Sequence, residues 1–429
     1  MRQVILLLVV GFLGSTSLAQ DLLISQATLH VGDGETVIEN TDILIADGRI
    51  AEIAPRIPTN KMIQVVNANG RHVTPAFFAG ITASGLTDVE AVSESVDSTY
   101  RELFTGLMHP EIDVRRAYNP LSSVVPVTRI EGFGYALLAA SRSDRGIGGQ
   151  GGLVRFDGGF SSFEGSDVIF IDLSGKAAKN FGGSRSAQWA LIEQAFDESL
   201  ESDAEDRELL SAAGAKALKE TRRAGTFVFH VNRAADIIRL IDFAKAQRID
   251  AVVHGGREAW IVADQLKAAD IPVVLNALDN LPADFDSLGS RLDNAALLDQ
   301  VGITVMFSSG ETHNARKIRQ VAGNAVANGL SHEVAIKAMT TTPAKIFGGE
   351  SRLAKVGATA DFVVWSGDPL DVTSLAEAVV MGGILDSMTS RQTQLRDRYL
   401  PEQNDLPRSY IKPESRGQAC SSSPPYFSF

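Results

Sequence analysis

The sequence predicts an α/β chain built as a (β/α)8 TIM-type barrel, with a composite β-sandwich formed by its two ends. Two observations carry this. The middle of the chain alternates β-branched, strand-like runs with helix-period segments, and short alternating strands with turn residues recur at both ends. The length, 429 residues, suits one large α/β unit with an appendage. Hydrophobic residues at 44% and charged residues at 21% are ordinary for a folded chain.

The first stretch, "MRQVILLLVVGFLGSTSLA", reads as a secretory signal peptide over 1–19. It has one positive charge, an apolar run too short to span a bilayer comfortably, and small residues ending at Ala19. The expectation is an exported protein, periplasmic in a Gram-negative source and secreted otherwise, with no membrane span once the leader is removed. Residues 20–74 then read as short strands, and Asp47-Gly48 marks a tight hairpin. A matching pattern returns over 351–390, in "ADFVVWSGDP" and "EAVVMGGIL". These two segments are expected to form one sandwich, and 75–350 the barrel.

Within the barrel, "GTFVFHV" (225–231) precedes a helix carrying Ile237, Ile238, Ile241 and Ala244. The runs "DAVVH", "IPVVLNAL" and "GITVMFSS" follow, each with a helical partner. Residues 183–224 read as helix, and the acidic "DESLESDAEDRE" (197–208) as a solvated helix face. "GIGGQGGLVRFDG" (146–158) reads as a glycine-rich loop bordering the pocket; it lacks the Lys-Ser/Thr of a phosphate-binding loop. Beyond 391 the chain becomes a polar tail, and its single cysteine, Cys420, excludes an intramolecular disulfide. With 52 acidic residues against 40 basic ones and no basic block, nucleic acid is an unsuitable partner.

In a barrel, chemistry belongs at the C-terminal ends of the strands. His230 and His254 close successive strands, and "MFSSGETH" after the last one offers Ser308, Ser309, Glu311 and His313. His30, His72, His109 and His332 lie in contexts without evident partners and read as structural. No Gly-x-Ser-x-Gly elbow supports a serine nucleophile.

The strand-end histidines and the split sandwich resemble the amidohydrolase superfamily, in particular its imidazolonepropionase-like and dipeptidase-like members. The resemblance extends to about residue 390. It is most specific in "AGNAVANGLSHEVAIKAMTTTPAKIFG" (322–348) and "LAKVGATADFVVWSGDP" (353–369). It implies hydrolysis of C–N bonds by water activated on zinc or another divalent metal. It also implies metal ligands in a His-x-His pair on the first strand, a His on the fifth and an Asp after the eighth. Laid on "PAFFAGITA", the first motif places Ile81 and Ala83 where the two histidines belong, and the Asp falls on Ser309 or Gly310. His230 matches the fifth-strand ligand and His254 the sixth-strand histidine. Lys176 and Lys179 follow "DVIFIDL", but neither is fixed in the place of a bridging lysine.

Three absent ligands weaken metal binding by at least about 10³–10⁶-fold, judged from the roughly 10–100-fold cost of losing one supporting partner. The metal is therefore expected to be weak or absent. His230, His254, Glu311 and His313 are the candidate metal residues, His254 and Glu311 the candidate catalytic ones. Gly149, Gln150, Asn232, Arg233, Ser308 and Ser309 are candidate pocket residues. Two readings stay open. One is a catalytically degraded amidohydrolase that binds a small amide or peptide-like ligand, or pairs with an intact paralogue or another copy of itself. The other is an active C–N hydrolase of cyclic amides or peptide-like substrates with a rebuilt metal site.

Overall fold

The computed structural model describes residues 21–58, 62–99, 108–140, 146–201 and 207–400. The expected leader, Cys420 and the tail beyond 400 lie outside the described residues. The near part of the expected tail is a helix, Arg391–Tyr399, started by a Ser390/Thr393 capping box. Among the described residues no helix is long and apolar enough to cross a membrane.

The N-terminal strands are β1 (Leu22–His30), β2 (Val37–Ala46), β3 (Arg49–Ala54), β4 (Gln64–Asn67) and β5 (His72–Pro75). β2 turns into β3 through Asp47 and Gly48, both at positive φ (50° and 76°), the conformation that a two-residue hairpin of Asp-Gly type adopts. In β1 the buried positions shift from Leu22 and Ile24 to Ala27 and Leu29. An irregularity in the ladder makes the change, with Gln26 at φ 55° and its N–H donated to Asp42 Oδ1 at 2.9 Å.

Eight further strands form the barrel sheet in sequence order: β6 (Phe77–Thr82), β7 (Phe133–Leu138), β8 (Ile147–Arg155), β9 (Phe163–Asp172), β10 (Thr226–Val231), β11 (Asp250–Gly255), β12 (Val273–Leu275) and β13 (Val305–Phe307). The chain then returns to the first sheet as β14 (Phe362–Trp365), β15 (Ala376–Met381) and β16 (Ile384–Leu385). β14 pairs antiparallel with β5, Val364 opposite Val73, so the two chain ends share one hydrogen-bonded sheet. Its apolar core includes Leu22, Ile24, Ile43, Ile45, Phe362 and Val364.

The barrel departs from a strict (β/α)8 repeat at β8, which runs antiparallel to both β7 and β9. Connections 139–146 and 156–162 are shorter than the dozen or so residues a parallel crossover requires, so the chain doubles back. The glycine-rich stretch read as a loop is therefore largely this strand. Its glycines permit close packing: a Cβ on Gly151 would lie 1.9 Å from Leu138 O, and one on Gly149 2.6 Å from Ile112 O.

Alternation divides the strands cleanly. On β10, Phe227 and Phe229 face the surrounding helices and Val228 faces the barrel interior, with Phe78, Tyr135, Leu153, Val252, Val274 and Met306. Helix Ala234–Gln247 covers the outside with Ile237, Leu240, Phe243 and Ala244. The acidic stretch at 197–208 is not wholly a solvated face. Glu198 is buried, and its carboxylate accepts N–H bonds from Glu208, Leu209 and Leu210.

Two polar networks fasten the first sheet to the barrel. Buried Asp361, just before β14, accepts from Arg155 Nη2 at 2.8 Å, Arg352 Nη1 at 3.1 Å and Gly382 N at 2.6 Å; Arg352 also pairs with Glu164. The second network joins His30, His72, His332, Glu333 and Asp368, correcting the reading of these histidines as unpartnered. Hydrogen bonds to Asp368 and Glu333 push His332 up to about 9. The same His332 bond holds Asp368 down to about 2. Burial works against ionised Glu333, yet bonds from His30 and His332 hold it at about 2.

Replacing Asp361 by Ala removes the carboxylate shared by buried Arg352 and half-buried Arg155, leaving Glu164 and Asp157 as their remaining partners. The expected loss is about 3–5 kcal/mol, the usual result of removing one partner from a buried ion pair. It is measured by denaturant unfolding, where a loss under about 1 kcal/mol would show the network to be dispensable.

Candidate functional site

The C-terminal ends of β9, β10 and β11 stand in register, so Asp172, His230 and His254 are direct neighbours across the sheet. All three line the barrel mouth. The imidazoles of His230 and His254 meet edge to face, with ring centroids 5.3 Å apart. Gly255 makes room for them: at φ +101° it bears no side chain, and a Cβ there would lie 2.4 Å from Asn232 Oδ1.

The mouth has two unlike halves. Its inner cavity, about 130 Å³, is walled by the apolar side chains of Ile81, Ala83, Ala139, Phe170 and Val228 together with Asp172, His230 and His254. The adjoining recess, about 250 Å³, is polar, lined by Lys176, Asn232, Arg257, Asn276, Asp279 and Asp284 among others. Arg257 Nη2 donates to Asp279 Oδ2 at 2.9 Å, which fixes a paired charge on its rim. Asn232 Oδ1 is buried against Gly255 and accepts no hydrogen bond from the described residues.

The first and last barrel strands meet through side chains. Ile81 N–H donates to Ser308 Oγ at 3.0 Å, and that hydroxyl donates to Ile81 O at 3.3 Å. Thr82 Oγ1 donates to Glu311 O at 3.0 Å. Gly80 lets the strands approach: at φ +80° it has no Cβ, which would come within 2.9 Å of Ser308 Oγ.

The structure brings His230, His254, Asn232, Ser308 and Ser309 to the mouth and its recess. Glu311 is exposed, and neither it nor His313 is among the lining residues. Gly149 and Gln150 lie on β8 rather than in the lining; Gln150 Nε2 donates to Pro110 O at 2.8 Å. Arg233 precedes the helix after β10 and is held by Asp236 at 2.7 Å and 2.9 Å. Asp172 was not singled out from the sequence. It closes "DVIFID" as His230 closes "TFVFH", and that parallel was the available signal.

The side chains present do not fit a divalent metal at the mouth in the usual manner. Ile81 and Ala83 face the cavity with hydrocarbon, and Ser308 is engaged in strand closure. Among the described residues, no three His, Asp, Glu or Cys side chains at the mouth place their ligand atoms within 4.8 Å of one another.

No protein-family model and no curated protein sequence matches the chain. Solved structures do. An amidohydrolase from Thermotoga maritima MSB8 aligns with 85% of this chain and 99% of its own at TM-score 0.74 and 20% identity. Phenylurea hydrolase B aligns over 86% and 97% of the two chains at TM-score 0.54 and 14% identity. A Xaa-Pro dipeptidase with bound methionine in its active site aligns over 85% and 99% at TM-score 0.52 and 14% identity. The chain thus has the amidohydrolase fold.

Ser308→Ala removes both hydrogen bonds between Ser308 and Ile81 and leaves Ile81 N–H buried without its acceptor. A destabilisation of about 1–3 kcal/mol is expected in equilibrium unfolding. A wild-type midpoint would show that the hydroxyl does not hold the seam.

Proposed function

We propose that this protein is an exported member of the amidohydrolase superfamily that lacks the catalytic metal centre, and that its barrel mouth binds a small amide or peptide-like ligand without hydrolysing it. The observation that carries this reading is the pair Ile81 and Ala83 facing the cavity opposite His230 and His254. A metal-activated water needs a convergent ligand set, and hydrocarbon supplies none. The likeness to a phenylurea hydrolase and a Xaa-Pro dipeptidase supports a ligand built around a carbonyl–nitrogen bond. The paired charges of the recess then hold its polar end.

Such a chain serves as a binding or partner subunit, beside an intact relative or another copy of itself. Leu281, Phe285 and Leu288 support a partner, since they stand 70%, 87% and 63% exposed on the loop that carries Asp284 and Asp286 at the recess. Purification from the native source as an isolated monomer would count against it.

One observation favours the rival reading, a working hydrolase with a rebuilt site: Asp172, His230 and His254 sit side by side on adjacent strands. The two readings separate in hydrolysis assays on N-acyl amino acids, dipeptides and cyclic imides, with and without added zinc. No turnover is expected. Metal-dependent turnover that His230→Ala abolishes would overturn the binding reading. The converse experiment restores the missing donors. Ile81→His/Ala83→His sets two imidazoles beside His230 and His254, and the zinc content of this variant is expected to exceed that of wild type by about one ion per chain. An unchanged content would show that the mouth is not a ligand set lacking only these two members.

A further inference from the structure

Away from the barrel mouth, three histidines and two carboxylates converge where the first sheet meets the barrel. His30 ends β1, His72 begins β5, His332 and Glu333 open the helix His332–Met339, and Asp368 follows β14. His30 Nδ1 donates to Glu333 Oε1 at 2.9 Å, and His332 Nδ1 donates to the same oxygen at 3.0 Å. Among the described residues, His30, His332 and Glu333 form a group of metal-ligating side chains whose ligand atoms all lie within 4.8 Å of one another.

We propose that His30 Nδ1, His332 Nδ1 and a Glu333 carboxylate oxygen bind a zinc ion that clamps the first sheet to the barrel.

Three features carry the assignment. The first is spacing. Zinc at about 2.0–2.1 Å from each donor holds its ligand atoms about 3.3 Å apart in a tetrahedron; the two imidazole–carboxylate separations, 2.9 Å and 3.0 Å, lie a few tenths of an ångström from that, and the two imidazole donors lie within 4.8 Å of each other. An entering ion replaces the protons now shared between Glu333 and the two imidazoles, leaving both rings neutral and coordinating.

The second is the outer support of each imidazole. Metal-bound histidines characteristically have the other ring nitrogen fixed by a hydrogen-bond partner. Here His332 Nε2 donates to Asp368 Oδ1 at 3.0 Å, and His30 Nε2 shares a proton with His72 Nδ1 at 2.8 Å. Both rings are thus already oriented with Nδ1 toward Glu333.

The third is charge and donor type. One divalent ion with neutral imidazoles balances Glu333 and Asp368 without residue. Two nitrogen donors and one carboxylate suit zinc better than calcium or magnesium, which prefer all-oxygen shells. His30 is buried, whereas the His332 side chain is 30% exposed, so the fourth coordination position opens toward solvent and takes a water.

The test is metal binding by the purified protein. After dialysis against a chelator, wild type is expected to take up about one zinc ion and to unfold at a higher temperature in its presence; cobalt in its place gives a tetrahedral absorption spectrum. Glu333→Gln and His332→Ala should each weaken binding by at least about 100-fold, and His72→Ala, a milder change outside the ligand set, by about 10–100-fold. His230→Ala/His254→Ala, which alters only the barrel mouth, should bind as wild type does. Circular dichroism of each variant separates lost binding from lost folding. The proposal is overturned if chelator-treated wild type takes up no zinc, or if binding survives Glu333→Gln and His332→Ala in folded protein. Uptake that disappears only with His230 and His254 would also overturn it, and would place the metal at the mouth instead.

Discussion

The structure depends on closing one eight-stranded sheet upon itself. Seven of the contacts between neighbouring strands are backbone ladders, while β13 reaches β6 through the Ser308 hydroxyl, which both accepts from Ile81 N–H and donates to Ile81 O. Closure at that point requires Gly80, because a Cβ there would collide with Ser308. It also determines what the mouth contains. Ile81 is drawn to the cavity opposite His230 and His254, so the residue that fastens the seam also walls the site.

Closure alone does not hold the two chain ends. The β5–β14 ladder joins them, and buried charges fix the resulting sheet on the barrel. Asp361 gathers Arg155 from β8 and Arg352 from the connection preceding β14, and Glu333 gathers His30 across an interval of 303 residues. An uncompensated buried charge is costly, so each partner is needed once the others are in place. The sheet is thereby positioned on the barrel by directional contacts as well as by the apolar packing of Phe77 against Trp365.

The strands and the sheet joining the chain ends were legible because their signals are local. "TFVFHV" and "DAVVH" are β-branched runs, and Asp47-Gly48 is a turn pair that few other conformations use. Glycine misled where its role is not local. In 146–158 it signals the closeness of Leu138 O and Ile112 O, which composition cannot distinguish from a flexible loop. Glu198 is a similar case: its neighbours are acidic, but its oxygens satisfy backbone N–H groups of a segment ten residues on. His30, His72 and His332 sit in unremarkable local contexts, and only tertiary folding makes a cluster of them.

Packing and polar contacts share the mouth unequally. Here Ile81 is 6% exposed and packs among Phe78, Val228 and Met306, so its side chain extends the apolar interior upward to the level of the histidines. Burying such a side chain stabilises by about 1.5–3 kcal/mol. Asp172, His230 and His254, in register at the ends of three adjacent strands, supply the polar groups of the same mouth.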